Sequence, residues 1–253
     1  MKLPANAKFL LFDMDGTLVD TEPVGPQNFV DQLQKYGIKP TNEERELFTK
    51  IWRRDGTDIK QDDWLPEIAR KYGINRTPEE YLKEFYAMYV EAIIAAPTLS
   101  GVDDFLQKLK ASGTYKTALV TASKRHQVEA IIARHGWQDI FNVLVTSEDF
   151  TKHKPDPQPF LVGIEKLGAS PEQCVVFEDS KNGSLAGSAA GCYVIGLRAG
   201  NSQQQDLSSA DQIVRGFEDI ELLKSPMPGS SMDKFNDAMR KILSVPKKNL
   251  KDK

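Results

Sequence analysis

The sequence predicts an α/β protein: a doubly wound, mainly parallel, Rossmann-like sheet with an inserted α-helical cap domain. From about Gly101 onward, short continuous apolar runs alternate with amphipathic segments of helical period, a pattern typical of parallel strands covered by helices on both faces. Between Val19 and Thr98 the apolar residues instead recur at helical spacing, without a strand-like run. An insert of that size after the first strand is expected to form a domain of its own.

The elements of the sheet region follow one another in a regular order. A first apolar run, Phe9–Leu11, begins near Lys8. Pro157 is expected to open a helix, because proline is well tolerated in a first turn. The later elements are predicted as strand Lys116–Thr121, helix Lys124–His135, strand Phe141–Val145, helix Pro157–Leu167, strand Cys174–Phe177, a helix through Leu185 and Ala190, strand Tyr193–Leu197 and a short strand at Ile213–Val214.

The helical insert is divided by turn residues, and hinges to the core are expected near Glu22–Pro26 and Ala96–Ser100, where Pro and Gly cluster. The tail after Lys224 starts with a linker composition and holds one amphipathic stretch, Phe235–Leu243. Breaks within the insert are predicted at Gly37–Pro40, Asp55–Gly56 and Gly73–Pro78. The predicted domains are a core from 1–18 and 99–224, a cap from 19–98, and a tail from 225–253.

The composition argues against several classes of partner. The 253 residues are 40% hydrophobic and 27% charged, with a net charge of −3 and an isoelectric point near 5.7, which favours neither nucleic acid nor an anionic membrane. No apolar run approaches the length of a membrane span, and a strand that begins near Lys8 leaves no room for a signal peptide. Cys174 and Cys192 are expected to be buried thiols. We therefore expect a cytoplasmic, monomeric protein.

The first strand ends in two carboxylates one residue apart, Asp13 and Asp15, followed by Gly16. Two like charges there repel each other unless a cation or a chemical task holds them, and Gly16 lets the backbone turn sharply towards a ligand. The pattern suits a carboxylate that attacks phosphorus beside Mg²⁺. A polar turn after an edge strand is the alternative. A calcium loop is disfavoured, because Leu18 and Val19 follow where further oxygen ligands are required.

Polar groups also follow later strands of the predicted sheet. At Thr121, Ala122 and Ser123, a hydroxyl and successive backbone N–H groups lie where a strand gives way to a helix, which suits a phosphate. A plain helix N-cap is the alternative reading of this segment.

Two further loops carry charged candidates. Lys154 lies in a loop stiffened by prolines and could neutralise a phosphate oxygen or the attacking carboxylate, with Lys152 as its competitor. Glu178 and Asp179 end a buried strand and suit Mg²⁺, which prefers oxygen ligands. Alternatively, Asp179 caps the helix that follows.

Parallel strands point their carboxyl ends to the same edge of a sheet, where open α/β folds bind ligands. The candidates expected to converge there are Asp13, Asp15, Thr121, Lys154 and Asp179. In this order the motifs resemble those of the haloacid dehalogenase superfamily of phosphotransferases. The insert resembles the small helical cap of its phosphoglycolate-phosphatase-like and β-phosphoglucomutase-like group. The resemblance covers about residues 8–197.

This resemblance implies a role for each residue of the crevice. Asp13 would be the nucleophile that forms an aspartyl-phosphate, and Asp15 would act as general acid and then as general base. Thr121 and Lys154 would hold the phosphoryl oxygens. The phosphate-binding set would also include Gly16, Ala122 and Ser123. The implied Mg²⁺ ligands are Asp13, the backbone carbonyl of Asp15, Asp179, and Glu178 directly or through water.

The expected activity is Mg²⁺-dependent hydrolysis of a small phosphorylated metabolite, such as a sugar or polyol phosphate. A β-phosphoglucomutase-like mutase is the alternative, with Ser123–Lys124 and the Arg53–Arg54 pair as a second anion site. A non-catalytic regulatory relative is disfavoured, because no motif residue is missing. Arg53, Arg54 and Glu22 are candidates for substrate selection by the cap, although the arginines suit a solvated helix face equally well.

Overall fold

The structure, a computed structural model, describes residues 1–53, 57–199 and 205–222, without the side chain of Arg53. Its strands are β1 (Phe9–Phe12), β2 (Lys116–Val120), β3 (Val143–Val145), β4 (Cys174–Glu178), β5 (Tyr193–Leu197) and β6 (Gln212–Val214). They form one parallel sheet in the order β3-β2-β1-β4-β5-β6. The strand order reverses beside β1, so the predicted doubly wound sheet is confirmed.

Helices precede and separate these strands. Four lie between β1 and β2 in the insert: α1 (Val24–Lys35), α2 (Asn42–Arg53), α3 (Gln61–Lys71) and α4 (Pro78–Ala95). Four more belong to the sheet region: α5 (Val102–Ser112), α6 (Arg125–His135), α7 (Gln158–Leu167) and α8 (Lys181–Ala189). None of the helices in the described ranges is long and apolar enough to cross a membrane.

The sheet is buried on both faces. Along β1, Leu10 and Phe12 point into one apolar cluster and Leu11 into the other, because successive side chains of a strand alternate. Phe12 stacks on Phe177 of β4, with ring centroids 4.6 Å apart. Because both faces are buried, the strands consist mainly of consecutive apolar residues. Such apolar runs are recognisable in the sequence.

The insert has an apolar cluster of its own, centred on Phe29, Phe48, Trp64, Tyr81 and Phe85. Its turns fall where they were predicted: two glycines in the left-handed region, with φ of +72° and +65°, follow α1 and α3. The predicted break at Asp55–Gly56 lies outside the described residues. The separate cluster supports a cap domain, whose boundaries stay a prediction.

The two connections between insert and sheet region lie side by side. Val19 and Thr98 form an antiparallel bridge. Leu99 N donates to Leu18 O at 3.0 Å, and Asp20 N donates to the carbonyl oxygen of residue 97 at 2.9 Å. The insert therefore leaves and re-enters the core at one place.

Part of the predicted hinge Glu22–Pro26 is helical, because α1 already begins at Val24. Pro26 is compatible with this early start, since the first N–H groups of a helix have no partner within it. Only Glu22 and Pro23 of this stretch precede α1, and the hinge itself stays a prediction.

Several predicted boundaries also shift by one to three residues. Strand β3 begins at Val143 rather than Phe141, because residue 142 uses its side chain to accept a hydrogen bond from Thr117 N at 2.8 Å. Strand β4 extends to Glu178. Cys174 and Cys192 are buried free thiols, as expected. The tail 225–253 and its amphipathic stretch Phe235–Leu243 lie outside the described residues.

Candidate active site

The register of the sheet brings the predicted strand ends together. Phe12 of β1 lies level with Leu119 of β2 on one side and with Phe177 of β4 on the other. Three polar residues therefore meet at one edge of the sheet. Asp13 follows β1, Thr121 follows β2, and Glu178 is the last residue of β4.

Lys154 lies at the centre of this edge. Its Nζ is 2.5 Å from Asp13 Oδ1 and 2.6 Å from Glu178 Oε1, and it also donates to Val120 O at 3.2 Å. The side chain is only 12% exposed. The competing Lys152 is exposed and pairs with Asp156 at 3.6 Å. Of the two lysines considered, Lys154 is therefore the one held among the strand-end carboxylates.

Three buried carboxylates form a compact group of oxygens. One oxygen each from Asp13, Glu178 and Asp179 lies within 4.8 Å of the others. Asp179 Oδ1 accepts a hydrogen bond from Thr17 Oγ1 at 3.0 Å. Such a set of hard oxygen donors fits a divalent cation.

Glu178 is oriented by the start of α8. Its Oε2 accepts hydrogen bonds from Asp179 N at 3.2 Å, Ser180 N at 3.2 Å and Ser180 Oγ at 2.9 Å. Ser180 Oγ in turn accepts from Gly183 N at 3.0 Å. The N-cap of α8 is therefore Ser180, and the alternative in which Asp179 caps this helix was wrong.

The negative charges of Asp13, Glu178 and Asp179 outnumber the positive charge of Lys154 beside them. Burial raises the pKa of Asp13, Lys154 lowers it, and the neighbouring carboxylates raise it further, with a net shift upward. Burial and the charges of Glu178 and Asp13 raise the pKa of Asp179. Burial alone would lower the pKa of Lys154, but the charges of Asp13 and Glu178 raise it overall. A single ammonium faces three carboxylates here, so the site favours an added positive charge.

Asp15 occupies a second position beside this group. Its Oδ2 accepts hydrogen bonds from Thr121 Oγ1 at 2.9 Å and Ser123 Oγ at 2.8 Å. Ala122, between these two residues, is exposed at the rim. The hydroxyls predicted to bind phosphate therefore hold the carboxylate of Asp15 in this structure.

Two glycines permit the close packing of the carboxylates. Gly16 has φ of +78°, and a Cβ added there would lie 2.3 Å from Asp179 Oδ2. A Cβ on Gly183 would lie 1.9 Å from an oxygen of Glu178. Sequence reasoning had singled out Gly16 but missed Gly183, Thr17 and Ser180. The signal available for Ser180 and Gly183 was their N-cap spacing at the start of a helix.

Two residues of the insert interact electrostatically with carboxylates of the candidate site. The charge of Glu22 helps to raise the pKa of Asp179. Burial, followed by the charges of Asp15 and nearby acidic groups, raises the pKa of Tyr89 on α4. Tyr89 packs edge-on against Trp52, with ring centroids 5.0 Å apart. Sequence reasoning missed Tyr89. The side chain of Arg53, and all of Arg54, lie outside the described residues.

Residues 10–197 match the family of haloacid dehalogenase-like hydrolases. The chain belongs to this family. The match includes every core strand that carries a candidate residue, so the resemblance inferred from the motifs is confirmed. The expectation of an enzyme of the haloacid dehalogenase type is confirmed with it.

Proteins with named activities are similar to most of this chain. A bifunctional riboflavin kinase/FMN phosphatase of Arabidopsis thaliana is 32% identical over 87% of this chain. This chain spans only 56% of that longer protein. Hexitol phosphatase A of Escherichia coli is 28% identical, over 87% of this chain and 95% of its own length.

A solved structure of similar sequence supports the same fold. It is a Thermotoga maritima protein with a provisional beta-phosphoglucomutase assignment. It superposes with a TM-score of 0.70 and 26% identity, over 84% of this chain and 95% of its own.

Proposed function

We propose that this chain is a Mg²⁺-dependent phosphatase that hydrolyses a small phosphorylated metabolite through an aspartyl-phosphate. The observation that carries the proposal is the placement of the Lys154 ammonium between Asp13 and Glu178, beside a third buried carboxylate. A surface salt bridge would not require such burial, and a buried group of like charges is typical of a functional site.

Asp13 is the proposed nucleophile. Its carboxylate oxygen attacks phosphorus while the bond from phosphorus to the leaving-group oxygen breaks. Lys154 supports this role, because its positive charge opposes the rise in the pKa of Asp13 that burial causes. The same ammonium is placed to neutralise charge on the transferring group, which is the main requirement of phosphoryl transfer.

Asp15 is the proposed general acid and base. Hydrogen bonds from Thr121 and Ser123 hold its carboxylate beside the strand end. It would give a proton to the departing oxygen, and then take one from the water that hydrolyses the aspartyl-phosphate. When a phosphate group enters, the two hydroxyls and the backbone N–H of the exposed residue Ala122 are suited to donate to its oxygens.

The metal site would be formed by Asp13, Glu178 and Asp179, with the backbone carbonyl of Asp15 as a further oxygen. The three carboxylates fit the ion, because their oxygens converge and outnumber the ammonium groups beside them. Bound Mg²⁺ would neutralise charge on the transferring phosphoryl group. The protein's part is to hold the carboxylates, through Thr17 on Asp179 and Ser180 on Glu178.

The proposed substrates are sugar, polyol or similar small phosphates. Support comes from the named activities of the relatives, which include a hexitol phosphatase and an FMN phosphatase. The cap would select the leaving group through Tyr89, Trp52 and Glu22, and through Arg53 and Arg54. A cytoplasmic location and a monomeric state stay predictions.

A mutase is the second candidate, favoured by the similarity to the provisional beta-phosphoglucomutase. It would share the first half of the reaction and return the phosphoryl group to a sugar rather than to water. An assay of glucose 1-phosphate with added sugar bisphosphate separates the two. Isomerised sugar phosphate with little free phosphate would replace the phosphatase proposal.

The test is a panel of phosphorylated metabolites and one aryl phosphate, with free phosphate as the readout. We expect Mg²⁺-dependent release by the native chain, and a loss of at least roughly a thousandfold in Asp13→Asn. Asp139→Asn is a matched control, because that carboxylate is 79% exposed and pairs only with Lys110 among the recorded ion pairs. Undiminished activity in Asp13→Asn, or in excess chelator, would contradict the proposal.

A further inference from the structure

An apolar groove lies at the point where the described chain ends. It has a volume of about 770 Å³ and is formed by α5 and the segment 217–222. Apolar walls come from Phe105, Phe217, Ile220 and Leu222. None of the residues that line it belongs to the candidate active site, so the groove needs an explanation of its own.

The groove is a fixed part of the core. Phe105 and Phe217 are buried and in contact, with ring centroids 4.9 Å apart. Glu221 N donates to Met1 O at 2.7 Å, and Lys2 bridges Glu221 in parallel register. The segment that forms one wall is therefore held by the amino-terminal residues.

The rim of the groove is acidic. Its charged lining residues are Asp104, Glu218 and Glu221 against one basic residue, Lys108. An apolar floor with an acidic rim favours an amphipathic occupant that carries basic residues beside its apolar face.

The chain that follows the groove has this character. Leu222 lines the groove, and the sequence continues through a stretch rich in Ser, Pro and Gly at 225–231. Apolar residues then recur at the spacing of one helix face, at Phe235, Ala238, Met239, Ile242 and Leu243. Basic residues stand beside them at Lys234, Arg240 and Lys241.

We propose that the segment Lys234–Leu243 docks in this groove as an amphipathic helix of the same chain. A helix of about ten residues is marginal in water, so its apolar face needs a surface to cover. The groove offers apolar walls for Met239 and Ile242, and its carboxylates face the basic residues of the segment.

The connection makes the same chain a better occupant than a second copy. The residues between Leu222 and Phe235 reach up to about 40 Å when extended, which is ample for a groove that starts at Leu222. A covalent connection of this length holds its far end at an effective concentration of about a millimolar or more. A second copy must compete with that concentration.

Crosslinking in the full chain tests the contact. Ala111→Cys places a thiol on the exposed lining of the groove, and Met239→Cys places one on the docking face. The native thiols are buried, so we expect them to react slowly with a short bis-maleimide. The control pair is Ala189→Cys with Met239→Cys. We expect the rate of intramolecular crosslinking in the test pair to be at least roughly tenfold higher than in the control pair, because the effective concentration of the two thiols sets this rate. Ala189 is exposed on α8 and does not line the groove.

Each other outcome overturns the proposal. A crosslinked dimer in place of the monomer would assign the groove to a second copy, and equal yields in the two pairs would remove the contact. As a second measurement, Ile242→Asp should raise amide hydrogen exchange in α5 while leaving phosphate release unchanged. The control Asp237→Asn alters the polar face of the same segment and should change neither. Unaltered exchange in Ile242→Asp would also contradict docking.

Discussion

At the scale of single residues, the candidate site brings together buried carboxylates whose mutual repulsion a bound cation would relieve. Lys154 forms ion pairs with Asp13 and with Glu178. Asp179 instead accepts a hydrogen bond from the uncharged hydroxyl of Thr17. Buried ion pairs contribute little to stability by themselves, because desolvation offsets the attraction. Under the proposed function, this arrangement would favour metal binding at a cost to the stability of the metal-free fold.

Asp179→Asn should separate these two effects. In the absence of metal we expect an unchanged or higher melting temperature, because one buried negative charge is removed beside Asp13 and Glu178. Mg²⁺ should raise the melting temperature of the native chain by binding only the folded state, and this rise should disappear in the variant. Thermal unfolding with and without Mg²⁺ measures both, with Asp139→Asn as control. An equal metal-dependent rise in both variants would exclude Asp179 as a ligand.

Gly183→Ala should impair activity, although alanine is the better helix former. Its Cβ would lie 1.9 Å from Glu178 Oε1, so that carboxylate must move. Misplaced residues around a metal typically reduce affinity or activity by about 10–100-fold. The control is Asn182→Ala, an exposed position on the same helix. Mg²⁺ titrations of phosphate release should show the difference, and equal titration curves for the two variants would refute it.

The sequence identified the charged residues of the site but not those that hold them. Asp13 and Asp179 stood out because charge at the end of an apolar strand needs a reason, and Lys154 because prolines stiffen the loop that carries it. Thr17 and Tyr89 carried no such signal. The contact of Thr17 with Asp179 joins residues 162 positions apart, and Tyr89 looks like one more aromatic on an amphipathic helix. Such roles depend on tertiary placement, which local patterns do not contain.

At the scale of elements, Asp149 ties the loop after β3 to two helices. Its carboxylate accepts hydrogen bonds from Arg125 of α6 at 2.7 Å, Lys166 of α7 at 2.5 Å and Thr146 N at 2.8 Å. Burial alone would raise the pKa of Asp149, but the hydrogen bonds of Lys166 and Thr146 lower it to about 2. The cluster fixes α6 and α7 beside the strand that precedes Lys154.

This lowered pKa predicts a pH dependence of stability. A depressed pKa in the folded state stabilises the protein above the unfolded pKa of about 3.9, and the contribution is lost as the pH falls towards 2. Asp149→Asn should therefore reduce the free energy of unfolding by about 1–2 kcal/mol at pH 7. The difference from the native chain should shrink below pH 4. Urea unfolding at pH 7 and pH 3 checks this, and a difference that does not change with pH would assign the loss to packing.

The predicted helices and strands agree best with the structure where the burial pattern alone determines the secondary structure. The strands β4 and β5 were recognisable because both of their faces are apolar. The start of β3 was not, because Phe141 reads as a strand residue but packs from a loop against Trp137, with ring centroids 6.2 Å apart. A large apolar residue in the sequence indicates that its side chain is buried. It does not indicate whether the backbone there is a strand or a loop.

At the scale of the whole molecule, the paired connections at Val19 and Thr98 make the insert separable. We expect a variant in which residues 21–96 are replaced by a short Gly-Ser linker to fold, since Leu18 and Leu99 already bond to each other. It should keep Mg²⁺-dependent release of phosphate from an aryl phosphate at a reduced rate, because the core residues remain. Its preference among metabolites should disappear with the cap.

Circular dichroism and the substrate panel measure these outcomes. The same deletion combined with Asp13→Asn is the control for contaminating phosphatase. A capless chain that folds but still ranks the metabolites as the native chain does would place selectivity in the core.

The sheet order also fixes a sequence of events during synthesis. Strand β1 pairs with β2 and β4, so Phe9 can pair only after Lys116 and Cys174 have been synthesised. At about 5–20 residues per second, translation imposes a delay of several seconds before the first of these pairings. The four helices made in between can pack on one another from contacts that are local in the chain, whereas the central strand depends on distant ones. The carboxylate at the centre of the proposed chemistry thus leaves the ribosome well before the two strands that flank its own strand.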